Sequence, residues 1–462
     1  MRDDVGGPGT PEPPEPPPRG DTHLLPAWAF SDRFVPRTVV RPLQEFLQTS
    51  TAGGVLLLAA VVAALIWVNS PWHAAYDALW HTEFTVHVGS FIDLEEDLKF
   101  WVNDGLMALF FLVVGLEIKR ELVTGELRQI RAAILPVLAA IGGMVVPALL
   151  YLVIAGGDNA RGWGIPMATD IAFALGALTL ASRFAPPSLK PLLLTLAIVD
   201  DIGAILVIAL FYSGGIEWVP LAVAVGGVGL ALLAARAHVR ALAFYVVLGT
   251  VIWYATFEAG IHPTIAGVVL GLLAPATPFQ RPKAVSVEAR RIADETTDHP
   301  DPPDADAPSW MRLAWLSRES VSPLARVEHV LLQWTSFVIL PIFALANAGV
   351  VLSSATIRAA ATDAVAIGIF VGLVVGKPLG VFLGSQVAVR SRAATLPGDV
   401  GWGDLAGMGF TAGIGFTVAL FVAELAFPRS AILQEAKIAI LAASVVAGIA
   451  GYVVLRLAPN RT

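Results

Sequence analysis

LKPLLLTLAIVDDIGAILVIALF, residues 189–211, is an apolar run long enough to cross a bilayer, yet it carries two adjacent aspartates, Asp200 and Asp201, in its middle. A helix needs about 20 apolar residues to span the hydrocarbon core. On insertion scales one aspartate at the bilayer centre costs about 2.5 to 3.5 kcal/mol, so the pair costs about 5 to 7 kcal/mol. Because no structural role requires such costly residues there, the pair predicts an ion or proton site.

The composition around this segment is that of a polytopic membrane protein. Of the 462 residues, 56% are hydrophobic and 15% are charged, and the mean hydropathy is +0.71. Soluble domains carry about 25% charged residues. The chain has no cysteine, which excludes disulfides and thiolate metal sites.

Apolar segments separated by charged or Gly/Pro-rich stretches predict a single all-α bundle of twelve transmembrane helices. An even number of spans places both termini on one side of the membrane. Of the 30 Lys and Arg residues, only five then fall on the opposite side and one, Lys377, lies inside a span. The positive-inside rule therefore places both termini in the cytoplasm. The predicted spans are residues 50–69, 100–118, 132–155, 163–182, 190–212, 218–235, 241–258, 261–275, 328–350, 364–389, 403–427 and 431–456.

Regions of different composition flank and interrupt the predicted bundle, which occupies residues 45–458. Residues 1–44 are predicted to form a disordered Pro-rich tail followed by an interfacial segment. Alternating apolar residues around a Gly-Ser pair predict an external β-hairpin at 81–97. The Pro/Asp-rich composition of residues 276–326 predicts a cytoplasmic linker with little fold of its own.

Two predicted spans, the fourth and the eleventh, carry helix breakers at membrane depth: GIPMATD (164–170) and GMGFTAGIGFT (407–417). Proline removes a backbone hydrogen bond and clustered glycines unwind a helix, so both free polar groups where no water satisfies them. Interrupted segments in matching places of two halves indicate the binding site of an inverted-repeat transporter. Two plainer interpretations stay open: a proline in the first turn of an ordinary helix, and glycines that let another helix pack closely.

Lys377 lies inside the tenth span, too far from either end for its side chain to reach water easily. A charged partner within the membrane is expected, and the aspartate pair is the obvious candidate. Two neighbouring carboxylates in a low dielectric resist double ionisation, whereas a small hard cation with oxygen ligands stabilises the ionised form. Cation and proton therefore compete for one site, and such competition combined with alternating access makes an antiporter.

At these residues the chain resembles the NhaA family of Na⁺/H⁺ antiporters, over about residues 45–458. The resemblance implies an inverted-topology repeat with discontinuous fourth and eleventh helices. It also implies electrogenic exchange of cytoplasmic Na⁺ or Li⁺ for external H⁺, which regulates intracellular pH and sodium. The motifs that carry it are NDGLMALFFLVVGLEIKREL (103–122), ATDIAFALG (168–176), IVDDIGAI (198–205), GIHPTIAG (260–267), EHVL (328–331), FALANAG (343–349), GKPLG (376–380) and GIGFT (413–417).

The resemblance also implies roles for individual residues. Asp201 is implied to be the principal cation ligand and proton carrier, and Asp200 to alternate between a salt bridge with Lys377 and the cation site. Thr169 and Asp170 are implied to lie at the unwound stretch, where Asp170 offsets facing helix-end dipoles.

Further residues of the motifs are implied to support the site or its regulation. The crossing partner helix contributes Gly413, Gly415 and Thr417, and Asn103 and Asp104 are supporting polar residues. The KREL sequence of a pH-responsive funnel is equally typical of a positive-inside anchor. The candidates for the pH response are Glu117, Lys119, Arg120, Glu121, His262, Glu328 and His329.

The expected ligands and partners follow from the same resemblance. Na⁺ or Li⁺ at Asp200 and Asp201 is cargo rather than a structural metal, and no cofactor is expected. The chain is expected in a bacterial plasma (inner) membrane, in contact with lipid, as a homodimer joined through the external hairpin. No nucleic-acid partner is expected.

Parts of the sequence also fit two other functional classes. Gly401 to Asp404 has the GxGD form of intramembrane aspartyl proteases and Tyr76-Asp77 matches their second motif, but the first is at a span entrance and the second is predicted in an external loop. A cation channel is the other class. Buried carboxylates paired with a lysine trap ions rather than pass them, which argues against a channel.

Overall fold

The structure is a computed structural model that describes residues 52–89, 92–239, 241–296, 304–428 and 430–458. The predicted tail over residues 1–44 lies outside the described residues. Helices α1 (Ala52–Val68) and α2 (His73–Trp80) are bent by 116° relative to each other. They lead into an antiparallel hairpin of β1 (Glu83–Val88) and β2 (Ile92–Asp97), within the segment for which a hairpin was predicted.

The rest of the described chain is mostly helical. The helices are α3 (Met107–Val123), α4 (Ile130–Ala155), α5 (Ile171–Leu180), α6 (Leu189–Phe211), α7 (Trp218–Arg236), α8 (Leu242–Glu258), α9 (Thr264–Leu273), α10 (Pro282–Glu295), α11 (Ala307–Glu319), α12 (Pro323–Asn347), α13 (Ser354–Thr362), α14 (Ala364–Arg390), α15 (Trp402–Ala412), α16 (Phe416–Ala426) and α17 (Ile432–Leu457). Shorter turns are an α-turn at Leu98–Phe100, 3₁₀ turns at Glu126–Arg128 and Gly157–Met167, and π-helical turns at Trp101–Leu106, Thr335–Ile339 and Gly372–Gly376.

Within these described ranges, six helices are long and apolar enough to cross a membrane, or nine spans if each of three bent pairs counts as one. Helices α8 and α9 are shorter apolar helices. The chain is therefore a mostly helical multi-pass membrane protein, and the number twelve stays a prediction. Burial is greatest in α6 and α14, each with 61% of its apolar window inside the protein, compared with 22% for α7. The two helices that carry the central charges are thus enclosed by the others.

Two bent pairs lie at the stretches with helix breakers. The 3₁₀ turn Gly157–Met167 meets α5 at 52°, and α15 meets α16 at 48°. Pro166 lies near the end of the 3₁₀ segment Gly157–Met167 and lacks the amide hydrogen that a helix would use. Ala168 and Asp170 have extended backbone conformations before α5 begins. Each bend leaves helix ends inside the bundle.

Glycines allow the closest helix crossings, which fix α14 against α4. A Cβ atom on Gly142 would lie 2.1 Å from Gly380 O, and one on Gly384 would lie 2.1 Å from Leu138 O. Helix backbones in a membrane approach this closely only where small residues face each other. The same contact positions Lys377, because Lys377 belongs to α14 and its side chain passes Gly143.

The expectation that residues 276–326 have little fold of their own is wrong for α10 and α11. Val285 and Ile292, seven residues apart on α10, are both buried, so this polar helix still has one apolar stripe. Arg291 also bridges Glu288 at 2.7 Å and Glu295 at 2.9 Å, at the helical spacings of three and four residues. The Arg291 guanidinium lowers the pKa of the Glu288 carboxyl through this hydrogen bond. Composition alone had hidden this amphipathic pattern.

Candidate functional site

Asp200 and Asp201 are both buried in the middle of α6, with 1% and 5% of their surfaces exposed. Lys377 is fully buried where the π-helical turn of α14 ends. Its Nζ lies 2.5 Å from Asp200 Oδ2 and also donates a hydrogen bond to Met167 O. The lysine therefore neutralises one aspartate and, at the same time, caps the carbonyl end of the 3₁₀ turn Gly157–Met167.

Asp200 Oδ1, the carboxylate oxygen that does not contact Lys377, has a different environment. Within the described ranges, Asp200 Oδ1 is buried with no hydrogen-bond partner, and the Thr169 side chain lies next to the Asp200 carboxyl. The structure also gives the Asp201 carboxylate no hydrogen-bond donor among the described residues. One ammonium group thus faces two carboxylates, of which only Asp200 is paired with it.

The field at Asp201 is dominated by other acidic groups. Asp200, Glu117 and Asp170 all lie within electrostatic range of the Asp201 carboxyl, and Lys377 is the cation that acts on it. An excess of carboxylates around a buried oxygen ligand attracts protons or small cations. Across the described residues, no three His, Cys, Asp or Glu side chains are grouped closely enough to hold a metal ion. A cation here would take further oxygen ligands from hydroxyl or carbonyl groups.

Asp170 joins two helix N-termini at the crossing of the broken helices. Its Oδ1 accepts a hydrogen bond from Phe173 N at 3.1 Å and so caps α5. Its Oδ2 accepts from Thr417 N at 3.1 Å and from Thr417 Oγ1 at 2.5 Å, in the first turn of α16. A carboxylate is favourable at this position, because the unpaired amides of both helix ends carry partial positive charge.

Hydrogen bonds join the interrupted stretch before α5 to the interrupted stretch between α15 and α16. Asp170 N donates to Ile414 O at 2.7 Å, and Thr169 Oγ1 donates to Ala412 O at 2.8 Å. A Cβ atom on Gly413 would lie 2.5 Å from Leu373 O. The glycine-rich stretch therefore both interrupts a helix and permits close packing, so the two interpretations of it are compatible.

Asn103 and Asp104 lie in the π-helical turn Trp101–Leu106, and each contacts another polar side chain. Asn347 Nδ2 donates to Asn103 Oδ1 at 2.7 Å. Asp104 Oδ1 lies 3.4 Å from His262 Nε2, while His262 Nδ1 lies 2.9 Å from Thr264 Oγ1. Sequence reasoning missed Asn347, although an asparagine within the apolar FALANAG motif was an available signal, and the structure buries it fully.

The candidates for the pH response are only partly brought together. Arg120 Nη1 donates to Glu328 Oε1, and this pair joins the ends of α3 and α12. Glu117 lies within electrostatic range of both members of this pair and of Asp201 in the aspartate pair.

The remaining candidates lie elsewhere. Glu121 Oε1 accepts a hydrogen bond from Glu126 N at 2.7 Å, which is a local contact after α3. Lys119 is partly buried on the same helix, and His329 is exposed on α12. The structure thus places these three side chains in different environments, and none of them is joined to the Arg120–Glu328 pair by an ion pair among the described residues.

A second buried charge cluster was missed entirely. Glu424 Oε1 on α16 lies 2.8 Å from Lys99 Nζ and 2.7 Å from Lys437 Nζ. Lys437 is 3% exposed. The lone glutamate in the apolar sequence FTVALFVAELA was the available signal, since a charge within such a helix requires partners.

The residues of the protease motif serve structural roles. Tyr76 lies in α2, so its predicted placement in a loop is wrong, and its hydroxyl donates to Leu345 O at 2.8 Å and Ala346 O at 2.9 Å. These carbonyls lie in the last turn of α12, which has no intrahelical donors for them, and the Tyr76 hydroxyl supplies one. Asp404 Oδ2 accepts from Gly401 N at 2.7 Å, in the first turn of α15.

Comparisons with known proteins identify the family. The sequence profile of the Na⁺/H⁺ antiporter 1 family matches residues 44–455. The chain is 45% identical to the Na⁺/H⁺ antiporter NhaA 2 of Sorangium cellulosum, over 92% of each chain. It is 44% identical to the NhaA of Koribacter versatilis, over 90% of this chain and 91% of that protein. It is 46% identical to the NhaA of an Acidovorax species, over 88% and 90%.

A solved structure, the sodium proton antiporter MjNhaP1 of Methanocaldococcus jannaschii, matches with a TM-score of 0.46 and 10% identity, over 89% of this chain and 95% of that one. The family profile matches most of the chain, over residues 44–455. The resemblance drawn from the motifs is therefore confirmed, and the chain is a transporter rather than an enzyme. This protein belongs to the Na⁺/H⁺ antiporter 1 family.

Proposed function

We propose that the chain exchanges cytoplasmic Na⁺ or Li⁺ for external H⁺ by alternating access, with cation and protons competing at Asp200 and Asp201. The observation that carries the proposal is the asymmetry of the pair: Asp200 is held by Lys377, while the structure gives Asp201 no donor among the described residues. A carboxylate with no fixed partner can take either a proton or a cation. The relatives named NhaA are called Na⁺/H⁺ antiporters, which agrees with this exchange.

The Lys377–Asp200 ion pair provides a way to couple cation binding to proton release. A cation bound at Asp201 draws the Asp200 carboxylate toward itself and competes with the Lys377 ammonium. Once its partner is engaged elsewhere, a fully buried ammonium is disfavoured and releases a proton more easily. Asp170 stays hydrogen-bonded to two helix ends and so holds the crossing in place.

We infer the wider arrangement from the family. The bundle has twelve spans in two inverted repeats with discontinuous fourth and eleventh helices, and both termini are in the cytoplasm of a bacterium. Two copies join through the β1–β2 hairpin. The exchange is electrogenic and needs no cofactor. Arg120, Glu328 and Glu117 adjust the transport rate to cytoplasmic pH, and His262 tunes it through Asp104.

The proposal is tested by Asp201→Asn, which retains the shape of the side chain but cannot ionise. Everted membrane vesicles are energised to acidify their lumen, and dequenching of a pH-sensitive dye is followed after Na⁺ or Li⁺ is added. We expect loss of dequenching, with expression and melting temperature close to those of the unchanged protein.

The matched control is Asp294→Asn, because Asp294 is exposed on α10, away from the transmembrane helices. Unaltered exchange in Asp201→Asn would refute the assignment. A cation channel is distinguished in the same assay, since Na⁺ flux through a channel moves no counter-transported proton.

A further inference from the structure

Helix α11 has an exposed apolar face that the described residues leave uncovered. Trp310, Met311 and Trp315 are 44%, 65% and 57% exposed. At about 100° per residue, these three side chains lie on one face together with Ala314 and Arg318, which are also exposed. A continuous apolar patch of this kind marks a surface that meets a partner or a membrane. We call this surface the α11 face.

The packing of α11 on α10 fixes the direction in which this face points. Arg312 lies on the opposite side of the helix from Ala314, and its Nη2 is 3.7 Å from Glu288 Oε1 on α10. Glu288 also forms an ion pair with Arg291, so its carboxylate contacts one arginine from α10 and one from α11. The α11 face therefore points away from α10.

Hydrogen bonds place the end of α11 between two apolar helices. Glu319 O accepts from Phe279 N and Gln280 N, both at 3.1 Å, shortly after α9 ends. Pro275 O accepts from Leu324 N at 3.1 Å, in the first turn of α12. The last residue of α11 is thus tied to the point where one apolar helix leaves the bundle and the next spanning helix enters it. Because α12 is long and apolar enough to cross a bilayer, its first turn is expected at the membrane surface.

We propose that the α11 face binds the headgroup region of the bilayer that the protein spans, with Arg318 contacting the phosphate of anionic lipids. Tryptophan prefers the boundary between hydrocarbon and headgroups, because its ring is apolar and its N–H seeks a polar partner. Arg318 lies among the apolar residues, and its long side chain extends to phosphate from that position. This combination is typical of helices that lie in the membrane plane.

The test uses the natural absence of cysteine from the chain. Full-length protein with Met311→Cys is labelled with an environment-sensitive fluorophore and reconstituted into vesicles of phosphatidylcholine alone or mixed with phosphatidylglycerol. Lipids that carry a nitroxide just below the headgroup serve as quenchers. The matched control is Ser286→Cys, at an exposed serine of α10.

We expect blue-shifted emission at position 311 and several-fold stronger quenching by lipid nitroxide there than at position 286. Arg318→Gln added to Met311→Cys should remove most of the increase in quenching that phosphatidylglycerol causes. Water-like emission with equal quenching at both positions overturns the proposal. Blue-shifted emission without lipid quenching also overturns it and assigns the face to another protein segment. Quenching that Arg318→Gln leaves unchanged overturns the role of anionic phosphate.

Discussion

At the scale of single residues, the Lys377–Asp200 ion pair gives the sharpest expectation. Both side chains are at most 1% exposed, so removing one partner leaves the other charge buried and uncompensated. Such losses cost about 3 to 5 kcal/mol in other proteins. We therefore expect Lys377→Ala to lower the melting temperature clearly, as followed by intrinsic fluorescence in detergent.

The same substitution should also move the pH dependence of exchange. Lys377 supplies the positive charge that favours ionised carboxylates at the site, so half-maximal exchange in Lys377→Ala should require a higher pH. The control is the double variant Lys377→Ala with Asp200→Asn, in which the uncompensated charge is gone and part of the stability returns. An unchanged melting temperature and pH profile in Lys377→Ala would remove this lysine from the mechanism.

At the scale of elements, Asp170 is the side chain that joins α5 to α16. Asp170→Ala removes the caps of two helices at once, and each lost cap costs about 1 kcal/mol. Asp170→Asn retains a side-chain oxygen but removes the charge that complements both N-termini. We expect the melting temperature to fall in the order unchanged protein, Asp170→Asn, Asp170→Ala.

Thr417→Val provides the comparison for this element. It removes the hydroxyl that donates to Asp170 Oδ2 at 2.5 Å and leaves the backbone cap from Thr417 N intact, so its effect on stability should be smaller than that of Asp170→Ala. Equal destabilisation by Thr417→Val and Asp170→Ala would contradict a double-cap role for the carboxylate.

At the scale of the whole molecule, the proposed exchange moves net charge across the membrane. One elementary charge that crosses a potential of about 100 mV changes its free energy by about 2.3 kcal/mol. In proteoliposomes, a potassium diffusion potential set with valinomycin should therefore accelerate exchange when the compartment that receives protons is negative. The rate in the absence of valinomycin is the baseline. A rate that is independent of the imposed potential would indicate electroneutral exchange.

The charged groups around Asp201 come from several helices that the fold brings together inside the bundle. The charges that face Asp201 come from α3, the break before α5, α6 and α14, so no single helix contains the site. The Glu424 cluster with Lys99 and Lys437 is a second, independent set of buried charges. A substitution in one cluster should therefore affect stability nearly independently of the other.

The sequence by itself determined the class of the protein and its central residues. An unbroken apolar run leaves few states for a segment except a spanning helix, and two carboxylates within that run stand out because the medium makes them costly. For the same reason Lys377 was recognisable without a structure. These inferences depend only on whether a segment lies in the hydrocarbon core, and the hydrophobicity of the segment itself determines that.

Only the tertiary structure decided which groups meet. Nothing near Asp170 in sequence shows that its carboxylate caps α16, since Thr417 is 247 residues away. The Asn103–Asn347 contact and the Glu424 cluster likewise join distant segments. The folding of α10 and α11 was also missed, because their stability comes from mutual packing and ion pairs rather than from composition. Which side chains contact each other depends on where and at what angle the helices cross. Close backbone contacts at glycines fix those crossings, and they form only when the chain is folded.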